Sequence, residues 1–269
     1  MPGQGHVQLQ RTEGQPREAR ADGIHRQHDT RGSRLALVLG GKSPQLVFAD
    51  ADLDEALPVL VNAIVQNCGQ TCSAGSRLLV ERSIYEALVE QLSQRFRELR
   101  TGPSALDLDM GPLINQKQQR QVREFVREAE QAGITVAARG QVVAEAGSGG
   151  YFQEAVLFRD VPPDSRLARE EVFGPVLAVM PFDDEAEAIR LANGTEFGLV
   201  AGVWTRDGAR QMRLARKLRC GQVFINNYGA GGGVELPFGG VKASGYGREK
   251  GFEALLGFTT LKTIAIKHG

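Results

Sequence analysis

The first thirty-four residues carry no hydrophobic rhythm. Met1, Val7, Leu9, Ala19, Ala21 and Ile24 are their apolar side chains, no aromatic ring occurs, and neither a helical nor a strand period can be traced. A disordered or aberrant tail is expected over 1–34. The pattern changes at Leu35. Leu35–Leu39 reads as a buried strand ending at Gly40-Gly41, and Gln45–Phe48 as a short second strand. Asp50 or Asp52 is placed to cap a helix running to about Asn67, with Pro58 bending it. Leu78–Val80 is a strand. Ser83 and Glu86 have capping-box spacing, and Ile84, Leu88, Leu92, Phe96 and Leu99 then recur on one helical face.

The alternation continues. Gln116–Ala132 predicts a polar, exposed helix, and Ile134–Ala137 and Ala155–Phe158 predict strands. Val176–Phe182, Leu199–Thr205 and Gln222–Ile225 are further strands, separated by helices near 184–193 and 207–218. Strands alternating with helices predict an α/β fold whose sheet is mostly parallel, with helices on both faces. Thr263–Ile266 is the last strand candidate. At the chain end it is placed to pair with another subunit.

Composition narrows the classes. Apolar residues make up 42% of the 269, enough for a real core. The 32 basic and 32 acidic side chains cancel, so neither a nucleic-acid face nor a polybasic membrane anchor is expected. No apolar run has transmembrane length, and the N-terminus lacks a secretion signal. Its arginines suggest an organelle presequence, but Glu13, Glu18, Asp22 and Asp29 argue against one. Three cysteines, Cys68, Cys72 and Cys220, are too few for a disulfide scaffold. A cytoplasmic protein is the expectation.

Cys72 follows Gly69-Gln70-Thr71, behind a helix and ahead of a strand. Such a turn offers access and nearby backbone N–H groups, which a nucleophilic thiol requires. Packing is the alternative. Cys68, four residues earlier on an apolar helix, reads as a small buried hydrophobe. A zinc site would need more ligands, and the histidines lie at 6, 25, 28 and 268, all terminal. Metal chemistry and a Cys-His hydrolase are therefore not expected. After Asn227 the chain turns glycine-rich, through Gly229, Gly231–Gly233, Gly239-Gly240 and Gly245-Tyr246-Gly247. Either a loop shaped around a ligand or a merely flexible loop fits that composition.

Five motifs in order carry a resemblance. They are Leu39-Gly40-Gly41-Lys42, Asn67-Cys68-Gly69-Gln70-Thr71-Cys72, Glu170-Glu171-Val172-Phe173-Gly174-Pro175, Pro237-Phe238-Gly239-Gly240 and Ser244-Gly245-Tyr246-Gly247-Arg248-Glu249. From Leu37 to about Lys267 the chain resembles the catalytic domain of the NAD(P)-dependent aldehyde dehydrogenase superfamily. The resemblance implies a catalytic domain over 35–258, then a C-terminal strand and tail over 259–269. It implies that Cys72 is the nucleophile, attacking an aldehyde to give a thiohemiacetal and later a thioester that water hydrolyses. It implies that Glu171 holds the nicotinamide ribose of NAD or NADP, with Phe173 packing nearby. Phe238 and the loop at Gly231 would line the substrate side, and Lys42 would be structural. Homo-oligomers, or association with a full-length relative, are implied as well.

Two departures stand against this. The family places a glutamate, the general base for deacylation, where this chain has Val38. Valine neither accepts nor relays a proton. The family also carries some two hundred residues or more ahead of this point, forming the dinucleotide-binding domain and supplying an oxyanion asparagine. The tail Ile24-His25-Arg26-Gln27-His28 is encodable by codons that, read one base later, spell the family's upstream Phe-Thr-Gly-Ser-Thr. An out-of-frame reading plus a deletion is expected to account for it. Little or no NAD-dependent activity is therefore expected. The alternatives are a non-catalytic oligomer-forming or binding domain, or a weak cysteine-dependent esterase that stalls after acylation.

Overall fold

The computed structural model describes residues 36–147, 149–229 and 233–269. The expected tail over 1–34 and the loop glycine Gly231 lie outside them. In chain order the elements that matter here begin with β1 (Leu37–Val38), β2 (Pro44–Val47), α1 (Leu53–Val65), β3 (Arg77–Glu81) and α2 (Arg82–Glu98). There follow α3 (Gln116–Gln131), β4 (Thr135–Arg139), β5 (Val156–Arg159), β6 (Val176–Phe182) and α4 (Glu185–Asn193). The last are β7 (Val200–Trp204), α5 (Gly208–Lys217), β8 (Gln222–Ile225), β9 (Gly245–Tyr246) and α6 (Gly251–Gly257).

Seven strands form the main sheet in the order β8-β7-β2-β3-β6-β5-β4. All pairs are parallel except β4 with β5, which is antiparallel. The expected α/β class and mostly parallel sheet are therefore present. All residues of β2 and β7 are buried, and so are all but one of β6. Successive strand residues point to opposite faces, so these strands are covered on both sides. Phe48 and Phe182 meet edge-on at 5.0 Å within that core. The face of α2 read from sequence is the buried one: Leu88, Leu92 and Phe96 are fully inside.

Local chemistry differs from expectation at several ends. Asp52 caps α1 by accepting from the Glu55 N–H. Asp50 instead accepts from Thr205, Arg210 and the N–H groups of Arg206 and Asp207, tying the exit of β2 to the start of α5. Ser83 does not cap α2, which begins at Arg82 with no side-chain cap; Glu86 pairs with Arg159 instead. The Leu35–Leu39 strand shrinks to two residues among those described. It pairs antiparallel with β9 rather than entering the main sheet. The expected strand Thr263–Ile266 does not form: residues 258–269 have no regular structure and are exposed. The segment has no ladder partner among the described residues, so its N–H and C=O groups gain nothing from strand geometry.

Candidate functional site

Cys72 sits where α1 gives way to β3. The helix ends at Val65, and the next turn winds the wrong way: Asn67, Cys68 and Gly69 have φ of 52°, 55° and 68°. Non-glycine residues rarely hold such angles, and strain of this kind persists only where neighbours enforce it. Here the Asn67 and Gln70 side chains each donate to the other's backbone carbonyl, at 3.1 and 3.2 Å. The Cys68 thiol, as expected, is buried, and it donates to the Gly111 carbonyl at 3.0 Å. Cys72 is half-buried and free. It packs in a small apolar cluster with Leu199, Val200, Phe238, Val38, Phe224 and Tyr228. The Tyr228 hydroxyl donates to the carbonyl of Ser73, the next residue, at 2.7 Å.

The thiolate is not favoured by these surroundings. Burial pushes the Cys72 thiol up, and the Glu171 and Glu249 carboxylates push further. The backbone N–H groups of Cys72 and Ser73 oppose that only in part. The backbone N–H groups expected near this thiol are present, and the thiol is half-buried rather than enclosed, while burial and the two carboxylates work against the thiolate.

Glu171 lies across from this loop. Its Oε1 accepts the Gly41 N–H at 2.9 Å. A Cβ at Gly40 would overlap the same carboxylate, and one at Gly41 would overlap the Cys72 carbonyl. The two glycines therefore allow three motif segments to close on one another, which is what their place in the sequence requires. Phe173, two residues on, holds φ of 56°. Phe238 is buried, and its backbone exchanges hydrogen bonds with that of Glu249. Val38 is half-buried and pairs with Gly245, so the position expected to hold a base faces an apolar cluster.

Two cations lie beneath. Arg77 is buried and donates to three carbonyls, those of Lys42, Leu191 and Ala192, the last two at the C-terminal end of α4. A guanidinium there complements the helix dipole. Lys42 is equally buried, and its Nζ has no hydrogen-bond partner among the described residues. Burial, with Arg77 adding, lowers it to about 7, against a pull upward from Glu171 and Glu170.

The structure thus brings Cys72, Val38 and Phe238 together and links Glu171 to them through Gly41. Phe173 lies outside that apolar cluster. Sequence reading missed Gln118. Its side-chain amide donates to the carbonyls of Val172 and Phe173 at 3.1 and 2.8 Å. The available signal was Asn115 three residues earlier, which caps α3 and so fixes Gln118 in its first turn. Among the described residues no His/Cys/Asp/Glu cluster is disposed to hold a metal. None of their helices is long and apolar enough to cross a membrane.

Comparison with known proteins fits this arrangement. The sequence model of the aldehyde dehydrogenase family matches residues 18–264. Betaine aldehyde dehydrogenase of Brucella anthropi is 42% identical over 87% of this chain and 48% of its own length. An aldehyde dehydrogenase of Emericella nidulans is 41% identical over 88% of the chain and 47% of its own. A crystal structure from Burkholderia cenocepacia, assigned to the aldehyde dehydrogenases, superposes with a TM-score of 0.90 at 67% identity, covering 94% of this chain and 53% of that one. The NAD+ complex of aldehyde dehydrogenase from Bacillus cereus superposes at 0.84 with 40% identity, over 91% of this chain and 49% of that one. The chain spans about half the length of the curated relatives it matches. With its five motifs gathered on one shared fold, the chain belongs to the aldehyde dehydrogenase family.

Proposed function

We propose that this chain carries the nucleophile-bearing part of an NAD(P)-dependent aldehyde dehydrogenase, in the cytoplasm, with deacylation impaired. One observation carries the reading: the Gly40-Gly41 turn touches both Glu171 and the Cys72 carbonyl, so cofactor-side and nucleophile segments share one turn. The Cys72 thiolate adds to the aldehyde carbon, giving a thiohemiacetal. A bound nicotinamide dinucleotide supplies the hydride acceptor that makes oxidation to the thioester possible. Glu171 suits that cofactor's ribose, because a carboxylate accepts hydrogen bonds from hydroxyl groups. Phe173 packs beside it. Phe238 closes the substrate side, and the loop at Gly231 belongs to the same side in this reading. Hydrolysis then requires water to lose a proton, and Val38 offers no acceptor. The raised Cys72 thiol slows the first step too.

The test uses the purified chain, NAD or NADP, an aldehyde panel and an activated ester, with Cys72→Ser as control. The expected result is a Cys72-dependent burst of ester cleavage, little steady turnover and little NADH. Val38→Glu is expected to raise the steady rate. Cysteine-dependent NADH formation at ordinary enzyme rates would sink the impairment, and steady ester turnover without Val38→Glu would do the same.

A second reading is an oligomer-forming domain that joins a second copy or a full-length relative. It is favoured by Phe252, Leu255, Leu256, Phe258, Leu261, Ile264 and Ile266, all exposed on the C-terminal stretch. A stable mixed oligomer without turnover would support it.

A further inference from the structure

Around the site the contacts close into a ring. Gln70, two residues before Cys72, accepts the Ile114 N–H on its side-chain oxygen at 2.9 Å. Asn115, next along, accepts from the Gln118 N–H at 2.9 Å and so starts α3. The Gln118 amide then reaches the Val172 and Phe173 carbonyls, and Gln121 one turn later adds a longer bond to Val172 at 3.4 Å. Glu171 returns to Gly41, and Gly41 lies against the Cys72 carbonyl. Between segments every contact but the last is a hydrogen bond, the rest of the ring being continuous chain, and the side chains at Gln70 and Gln118 are neutral amides. They hold at any pH at which the fold survives.

The position of Gln118 in this ring is specific. One NH2 group gives two donors, and both carbonyls it meets flank the left-handed Phe173. Strained backbone needs such enforcement. We propose that Gln118 is a positioning residue, whose amide clamps the Val172–Phe173 turn and so sets Glu171 relative to Cys72. The clamp rests on the reading of Cys72 and Glu171 given above. It deepens that reading by making the start of α3 a third wall of the site, one that touches neither reacting atom.

The test needs neither cofactor nor turnover. Gln118→Met keeps the side-chain length and removes the donors. Its position at the half-exposed start of a capped helix leaves the core untouched. Two readouts are taken on the full chain: amide exchange across residues 171–174, and the pH profile of Cys72 alkylation by iodoacetamide. Cys68→Ala/Cys220→Ala serves as the background. Gln118→Met is expected to speed exchange in that segment by about tenfold or more, the size expected when its two hydrogen bonds are lost. It is also expected to move the alkylation midpoint down, in the direction of Glu171→Gln. Combining the two substitutions is expected to add no further movement. Unchanged exchange at 171–174 overturns the clamp, whatever the thiol does. Faster exchange with an unmoved midpoint, while Glu171→Gln moves it, overturns the coupling to Cys72. A midpoint unmoved by Glu171→Gln itself overturns the Glu171–Cys72 pairing on which the clamp rests.

Discussion

Two regions of this molecule use similar apolar side chains to opposite ends. In the central sheet, β2, β3 and β6 are enclosed, and even their polar groups have company: Gln45 accepts from the Trp204 indole at 3.0 Å, and Arg77 meets three carbonyls. In the C-terminal stretch after Gly251, phenylalanine, leucine and isoleucine stand in solvent, Phe258 and Leu261 more than nine-tenths exposed. The difference is not one of composition. Cover for the sheet comes from helices of the same chain, whereas none of the described residues covers the tail. Hydrophobic patterning states a demand for burial and does not say which surface meets it.

The comparison breaks first where burial is complete. Phe182→Ala should cost about 3–5 kcal/mol in a urea melt, since it opens a cavity beside Phe48. A loss below about 1 kcal/mol would mean that the sheet core is looser than its burial implies. Arg77→Met should cost about 2–4 kcal/mol, because three buried carbonyls lose their donor. If the variant melts with the parent, those carbonyls have found other partners.

Lys42→Met sharpens the contrast with the opposite sign. The folded lysine titrates at about 7 and the unfolded one at 10.5. Between those values the unfolded chain holds a proton that the fold does not, so parent stability falls as pH drops from 10.5 to 7 and levels off below. Lys42→Met should therefore be the more stable protein at pH 7, by on the order of 2 kcal/mol. The advantage should fade as pH climbs past 10; an advantage independent of pH would refute the titration. The smallest effect belongs to the tail. Ile264→Lys with Ile266→Lys should leave stability within about 0.5 kcal/mol. Light scattering should nonetheless show less self-association; unchanged scattering would remove the tail from any interface.

Much of the sheet was legible. Val176–Phe182 and Gln222–Ile225 appear with the boundaries their apolar runs predict; the first is closed on both faces and so writes its burial directly into sequence, while the second is a half-buried edge strand. Capping was less legible. Asp50, Asp52 and Ser83 all have capping chemistry, yet Asp52 alone of the three caps a helix, since long-range partners claimed Asp50. In the site, motif spacing marked Cys72, Val38, Glu171, Phe173 and Phe238. It was silent on Gln118: the Asn115 cap places that residue in the first turn of α3, but its partners are backbone carbonyls more than fifty residues away, which no local pattern names.

Taken alone, the sequence determined the alternation of strands and helices, the family and the absence of an acid at position 38. Those are properties of side-chain type and spacing. Only the tertiary structure decided that β1 leaves the main sheet, that Gly40 and Gly41 must be glycine, and that 263–266 pairs as a strand with none of the described residues. It also decided that, among the described residues, Lys42 is buried without a hydrogen-bond partner and Arg77 with three. Each of these turns on which distant atoms come within a few ångströms, and proximity across the chain is fixed by packing rather than by any residue's own preference.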